Sequence, residues 1–314
     1  MNAFTLQYGT YARRAYAKIN TYLEVLQRRE DGYHELCSHM QLITLHDTLQ
    51  LTVAPGEGDG ISMSLCCDLP ALSCGEDNLI LRAARTYLAQ STVPVRGASL
   101  SFALKKRIPM QGGLAGGSAD AAAALLLLNE ACGEAMREEQ LCALGATLGA
   151  DIPFCIRGLQ GPQTARGIGE RMTAAPGIAD TQTLLIVLPG TAVSTPQAFR
   201  HLDELYGDAD ASVRAAENEQ RYAAHLAALE GASIQAVAKT AFNRFEEAVF
   251  ALQPRTAEVA KRVNALGAIF TQMSGSGPTL VGYFSDVREA EQARDILAGE
   301  GISSCVCHAI GKNA

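Results

Sequence analysis

Tryptophan is absent from the 314 residues, aromatic side chains make up only 6% of them, and the formal net charge is -7. A chain with that balance and no broad basic stripe lacks the electrostatic footprint and stacking platforms of a nucleic-acid binder, so nucleic acid is not an expected partner. Long apolar runs are missing as well. The longest, Ala121 to Leu128, is far short of the ~20 residues needed to cross a bilayer, which argues against a membrane partner. Arg13 and Arg14 near the start are not followed by the apolar segment and small-residue site of a secretory signal, and residues 1 to 10 read as a short extension. Paired C-x-x-C spacing is also lacking. The nine cysteines include the adjacent Cys66 and Cys67 and the C-x-C pair Cys305 and Cys307, neither with the spacing of a structural zinc site. Scattered through apolar segments, they fit buried thiols in a reducing, cytoplasmic setting rather than a disulfide framework. No obligate protein partner is evident from the sequence.

What is present is an ordinary globular composition, 48% hydrophobic and 19% charged, on a chain longer than one typical core. Two domains are expected. Its most informative stretch runs from Lys105 through Ile108-Pro-Met-Gln-Gly-Gly-Leu-Ala-Gly-Gly-Ser118-Ala-Asp120 into an unbroken helical sequence ending near Asn129. Gly112, Gly113, Gly116 and Gly117 let the backbone turn sharply and approach a ligand, and the helix that follows offers unpaired N–H groups and the positive end of its dipole. Phosphate is the natural guest. Lys105, Lys106 and Arg107 form a local positive patch against the acidic whole. Ser118 is expected at the N-cap and Gly133 at the stop. The P-loop template requires lysine where Ser118 stands, and the dinucleotide template requires glycine where Leu114 stands. Spacing therefore gives an anion cradle or a flexible glycine loop, and no particular reaction.

Along the chain, alternation from Ala17 to Val25 predicts a half-buried strand, and Asp31-Gly32 a hairpin turn before Tyr33 and His34. Further strands are expected at 40–53, 97–105, 184–188 and 302–309, and helices at 77–90, 118–132, 138–148, 196–206, 212–229, 234–252, 254–266 and 286–298. Residues 157–183 are rich in Gly, Pro and Thr and predict irregular chain, with the domain boundary near their start, giving domains 1–160 and 161–314. Gly207 to Asp210 reads as an exposed loop. The mixture is α+β.

Lys18 and Asn20 share one face of the first strand, so that Lys18 is either a surface lysine with a buried stem or a cation turned into a cleft. Asp151 ends one helix before Pro153 and is either a cap or a carboxylate for chemistry. Should the two meet near the glycine loop, the carboxylate could orient or deprotonate a hydroxyl and the cation hold charge on a transferring phosphoryl group. Met273-Ser-Gly-Ser-Gly-Pro278 is a hairpin connection or a second backbone cradle, and Gly167-Ile-Gly-Glu170 reads as a turn. Of the six histidines, His34 stands out, because with Tyr33 it could hold a flat base.

Ala15 to Asn20, Pro109 to Asp120 and Met273 to Pro278 resemble, in order, the three motifs of the GHMP small-molecule kinases. Within that superfamily, Asp31-Gly-Tyr-His34, Leu148 to Phe154 and Gly167 to Glu170 resemble the branch acting on a cytidine diphosphate sugar alcohol in the non-mevalonate isoprenoid route. The likeness runs from about residue 13 onward. It implies a two-domain fold, an N-terminal domain like the second domain of ribosomal protein S5 and a ferredoxin-like C-terminal domain, with an active-site cleft between them. It implies ATP-dependent phosphorylation of the substrate's 2-hydroxyl, with Asp151 acting on that hydroxyl and Lys18 polarising the site. ATP would lie along Lys106, Pro109, Met110, Gln111, Gly112, Gly113, Leu114, Ala115, Gly116, Gly117, Ser118 and Ala119, with Mg2+ as companion and Ser118 as its ligand. Asn20, Tyr33 and His34 would meet the cytidine end, Phe199 would stack on the base's other face, and Gly275 and Ser276 would complete the substrate contacts. Thr21 departs from the family's usual apolar residue after Lys-Ile-Asn.

Overall fold

The computed structural model describes residues 5–311 apart from 94, 208–210 and 232. It divides into two compact units, each discontinuous in sequence: Met1–Ala17, Leu45–Met110 and Ala115–Arg157 form the first, and Lys18–Thr44, Gln111–Leu114 and Gly158–Ala314 the second. Two long strands, β1 (Gly9–Arg28) and β2 (His34–Pro55), each contribute one stretch to either unit. The Asp31-Gly32 turn between them is as the sequence predicts. Gly32 takes φ +85°, and its N–H donates to Arg29 O at 3.0 Å.

In the first unit the second half of β2 pairs antiparallel with β4 (Ala98–Lys105), and β3 (Ile61–Cys67) pairs parallel with β4. Alternation along these strands buries Leu49, Leu51, Val53, Leu100, Phe102 and Leu104 on one core. Helices α1 (Leu79–Gln90), α2 (Gly116–Ala131), α3 (Glu138–Ala146) and α4 (Ile152–Arg157) complete the unit. Asn78 caps α1, its side chain accepting from Ile80 N at 2.9 Å. Residues Ala119 to Leu125 of α2 are all buried, so this helix has no solvent face and forms the middle of the core. Each buried leucine there contributes about 1.5–3 kcal/mol. At its far end Asn129 is buried but satisfied, accepting from Tyr87 Oη at 3.0 Å and donating to Met136 O at 2.9 Å. Gly133 then ends the helix at φ +71°, as expected.

In the second unit the first half of β2 pairs antiparallel with β5 (Gln163–Gly167), which pairs with β6 (Arg171–Ala174). These strands lie in the segment expected to be irregular. Their side chains hide the strand period because buried polar residues sit among them: Thr164 is buried against the Tyr222 hydroxyl at 2.5 Å. A separate antiparallel sheet is built from β7 (Thr183–Leu188), β9 (Phe270–Met273), β10 (Leu280–Phe284) and β11 (Ser303–His308), in the order β11-β7-β10-β9. The remaining elements are α5 (Thr195–Tyr206), α6 (Ala211–Glu230), α7 (Ile234–Ala238), β8 (Phe242–Asn243), α8 (Phe245–Leu252), α9 (Pro254–Ala265) and α10 (Val287–Gly299).

The single helix expected over 234–252 is thus two helices broken by a strand. Phe242 and Asn243 leave helical geometry to pair parallel with Tyr22 and Leu23 of β1. This is a tertiary demand that local pattern does not encode. Leu23, Val25, Leu185, Val187, Phe245, Val249, Val263 and Phe284 share the unit's core. No disulfide joins the nine cysteines, all of which lie among the described residues. Asp208 to Asp210 of the expected exposed loop fall outside the described residues. No helix among the described residues is long and apolar enough to cross a membrane.

Candidate active site

The glycine loop is wound more tightly than its sequence predicts. Gln111, Gly113 and Ala115 take φ of +55°, +77° and +57°, and α2 begins at Gly116 with Ala115 at its N-cap and no side-chain cap bond. Ser118 is therefore not the cap: the left-handed turn at Ala115 starts the helix two residues early and leaves Ser118 in its first turn. The first-turn amides keep no side-chain acceptor, the condition for an anion site. A Cβ on Gly116 would lie 2.9 Å from Ile108 Cγ2 and 3.2 Å from Lys106 Nζ, so this glycine is required by close approach.

Below that point sits a buried ionic cluster. Lys106 Nζ donates to Asp47 Oδ2 at 2.5 Å and Asp120 Oδ2 at 2.6 Å, with Lys106 8% exposed. Asp47 Oδ1 also accepts from the N–H of Ile108 at 2.8 Å and from that of Arg107, so one carboxylate holds both the lysine and the entry to the loop. Burial pulls the Lys106 ammonium toward neutrality, and Asp120 and Asp47 more than offset it, so its pKa is raised. Burial, with Asp47 adding to it and Lys106 opposing, pushes the Asp120 carboxyl up to about 7. One cation between two carboxylates leaves a charge that a single proton cancels. Lys106, expected to approach the nucleotide, sits in this cluster directly beside Gly116.

Gly112 and Gly113 are held by the Met273–Pro278 turn. Gly275 at φ +62° would place a Cβ 2.8 Å from Gly113 O, Gly277 would place one 2.6 Å from Gly113 N, and a Cβ on Gly113 would overlap Ser274 O. Ser274 Oγ donates to Gly113 O at 3.2 Å. The two glycine motifs interlock backbone to backbone, which requires glycine on both sides. Ser276 Oγ is 2.7 Å from Thr195 Oγ1 at the start of α5.

Lys18, Asn20 and Ser38 form a buried line on β1 and β2: Lys18 Nζ donates to Asn20 Oδ1 at 2.8 Å, and Asn20 Nδ2 to Ser38 Oγ at 2.7 Å. Lys18 N donates to Leu114 O at 3.1 Å, fixing the loop to this strand. Thr21, one residue on, joins a relay that sequence reasoning missed. Its hydroxyl lies 2.7 Å from His39 Nδ1 and 2.9 Å from His225 Nε2, while His39 Nε2 is 2.7 Å from Pro176 O. A carbonyl accepts only, so His39 donates from Nε2 to Pro176 O, and the Thr21 hydroxyl bridges the two imidazoles. Burial lowers the His39 pKa to about 4, with Pro176 opposing, and that of His225 to about 3, with His39 adding to it. Burial keeps both rings neutral in this relay.

His34 and Phe199 also come together. Their rings stack at 4.6 Å and 20°, His34 Nε2 is 2.7 Å from Asp203 Oδ1, and Phe245 meets Phe199 edge-on at 4.9 Å. The face of Phe199 is taken by His34 itself, so a base stacked there requires the imidazole to move aside. Tyr33 is 61% exposed. In the first unit, Asp151 immediately precedes α4, its carbonyl accepting from Cys155 N at 3.1 Å. A Cβ on Gly149 would lie 3.9 Å from Ser118 Oγ, which sets the turn carrying Asp151 against the first turn of α2. Lys18 and Asp151 belong to different compact units.

The family description "GHMP kinases N terminal domain" matches residues 78–159, and "GHMP kinases C terminal" matches 226–303. A 4-diphosphocytidyl-2-C-methyl-D-erythritol kinase of Synechococcus sp. (strain CC9311) is 39% identical over 309 residues, covering 95% of this chain and 96% of the relative. The chain belongs to the 4-diphosphocytidyl-2-C-methyl-D-erythritol kinases, within the GHMP kinases. A crystal structure of 4-(cytidine 5'-diphospho)-2C-methyl-D-erythritol kinase agrees at TM-score 0.73 and 33% identity, covering 95% of this chain and 99% of that one. A homoserine kinase from Cytophaga hutchinsonii reaches TM-score 0.73 at 18% identity, covering 96% and 95%, and shows the shared fold alone. This GHMP kinase is a small-molecule kinase of α+β fold, as its three motifs imply.

Proposed function

We propose that this kinase transfers the γ-phosphoryl group of ATP to the 2-hydroxyl of 4-diphosphocytidyl-2-C-methyl-D-erythritol, in the cytoplasm, on the route to isoprenoid precursors. The observation that carries the reading is the left-handed glycine turn opening into the uncapped first turn of α2, which leaves its amides for phosphate oxygens. In this reading residues 1–160 carry the ATP-binding segments and 161–314 the second domain, to whose compact unit residues 18–44 and 111–114 also belong, with Lys106 and Pro109 to Ala119 along the nucleotide. Asp151 orients the substrate hydroxyl and receives its proton as the new O–P bond forms and the bond to ADP breaks. Lys18, aligned by Asn20 and Ser38, holds charge on the phosphoryl group. Tyr33, His34, Phe199, Asn20, Gly275 and Ser276 serve the cytidine-bearing substrate.

Magnesium fits this arrangement. No group of three or more metal-ligating His, Cys, Asp or Glu exists among the described residues, and a nucleotide-borne Mg2+ is held mainly by phosphates and water. Ser118, in the first turn of α2, would add a hydroxyl ligand to an ion that neutralises phosphate charge.

The test is turnover, followed by ADP release and by the position of the new phosphate, with the cytidine substrate, mevalonate and homoserine side by side. Preference for the cytidine substrate, phosphorylated at its 2-hydroxyl, is expected. Preference for either other alcohol, or no ADP release at saturation, overturns the proposal.

A further inference from the structure

The loop Met273 to Gly277 touches the glycine cradle, and its own support comes from the break between α7 and α8. Asn243 Nδ2 donates to Met273 O at 2.7 Å and to Gly275 O at 2.9 Å, while its Oδ1 accepts from Phe245 N at 3.0 Å. Three residues on, Glu246 Oε1 accepts from Met273 N at 2.7 Å. Two side chains thus hold both backbone polar groups of Met273 and a carbonyl within the turn. Asn243 is 3% exposed and uses both its oxygen and its amide nitrogen. Burial pushes the Glu246 carboxyl up to about 7, with the Met273 N–H opposing. Such a partly buried carboxyl facing one backbone donor is costly to stability unless the contact matters. The route onward is short, because Ser274 bonds Gly113 O and Gly275 and Gly277 abut Gly112 and Gly113 with no space for a side chain. Any shift of the turn must be passed to the cradle, since neither side has a flexible group to absorb it.

We propose that Asn243 and Glu246 are positioning residues for the donor nucleotide, acting through the Met273–Gly277 turn on Gly112 and Gly113. The proposal rests on reading the cradle as the ATP phosphate site. It also accounts for the broken helix: Phe242 and Asn243 pair with β1, and that pairing fixes Asn243 where it can hold the turn.

The test uses the full chain with Asn243→Ala, Glu246→Ala and Glu246→Gln. Binding of the non-hydrolysable analogue AMP-PNP is measured by calorimetry, and KM for ATP and for the alcohol substrate are measured separately. Weakening the cradle's hydrogen bonds to phosphate by about 1.4 kcal/mol costs tenfold in nucleotide affinity. Glu246→Ala and Asn243→Ala are therefore expected to raise KM for ATP and weaken AMP-PNP about tenfold, with a smaller rise in KM for the alcohol, whose proposed contacts include Gly275 and Ser276 of the same turn. Glu246→Gln keeps an acceptor oxygen toward Met273 N and is expected to restore nucleotide affinity. Folded Glu246→Ala with unchanged AMP-PNP affinity, equal increases in both KM values, or no rescue by glutamine overturns the positioning role alone. Should Asn243→Ala not fold, the two Glu246 variants decide. Wild-type protein that fails to bind AMP-PNP at all overturns the phosphate-site reading with it.

Discussion

Replacing Gly113 by alanine tests the interlock of the two glycine motifs directly. At φ +77° an L-residue costs roughly 1–2 kcal/mol. The new methyl would also overlap Ser274 O and lie 3.1 Å from Gly277 N, both backbone atoms of a turn whose own glycines are pressed against residues 112 and 113. Overpacking of that kind adds about 1–3 kcal/mol. Together these give a loss of roughly 2–5 kcal/mol, or about 3–8 °C in the unfolding midpoint for a chain of this size. Because the strain is relieved by parting the two turns, the cradle moves, and a shift near 1 Å costs on the order of 100-fold in kcat/KM for ATP. Differential scanning fluorimetry and steady-state kinetics measure the two effects. Gly299→Ala, where nothing lies within 4 Å, serves as the control and is expected to leave kcat/KM unchanged and not to lower the midpoint. A Gly113→Ala protein with a midpoint within 1 °C of wild type and kcat/KM within about twofold would refute the interlock.

Asp151→Asn is expected to fold with an unchanged circular dichroism spectrum and to lose most turnover, by about 100-fold or more; full activity would remove Asp151 from the mechanism. Phe199→Ala takes away the ring stacked on His34 and is expected to raise KM for the cytidine substrate several-fold while leaving KM for ATP unchanged, so an equal effect on both would sink its assignment to the substrate. His39 carries an acid signature. Its folded pKa of about 4 lies below the ordinary 6.5, so the unfolded chain takes up a proton first, and this contribution is full above pH 6.5 and lost as pH falls toward 4. The difference is worth about 3 kcal/mol. Urea midpoints measured from pH 7 to pH 4 are expected to fall more steeply for wild type than for His39→Gln, and parallel profiles would contradict the neutral relay.

The parts of this structure that were legible in the sequence are those governed by local rules. Asp31-Gly32 specifies its turn, the alternation from Ala17 to Val25 its strand, and Gly133 the end of α2, because each is a backbone preference of one or two residues. Ser118 misled because it is a good cap in isolation, whereas the cap position was decided by Ala115, an alanine in a left-handed conformation that propensity disfavours and only the surrounding packing supports. Phe242 and Asn243 look helical for the same reason: their strand exists only because β1 lies beside them. The candidate residues themselves were readable as motifs, but their partners were not. Nothing near Lys106 in sequence announces Asp47, 59 positions away, and nothing near Thr21 announces His225, 204 away. The first of those pairings sets the lysine of the glycine motif in a buried ionic cluster.

The division of β1 and β2 between the two units bears on how the chain is made. The second unit's core needs Leu23 and Val25, which leave the ribosome first, together with Leu280, Phe284 and Leu297, which leave it nearly last. The first unit has all its segments once residue 157 has emerged. During synthesis, then, residues 18–44 must wait, with strand edges and apolar side chains uncovered, for more than a hundred further residues to be translated. Cutting the gene at residue 160 and expressing the halves separately would leave Leu23 and Val25 on one product and the rest of their core on the other.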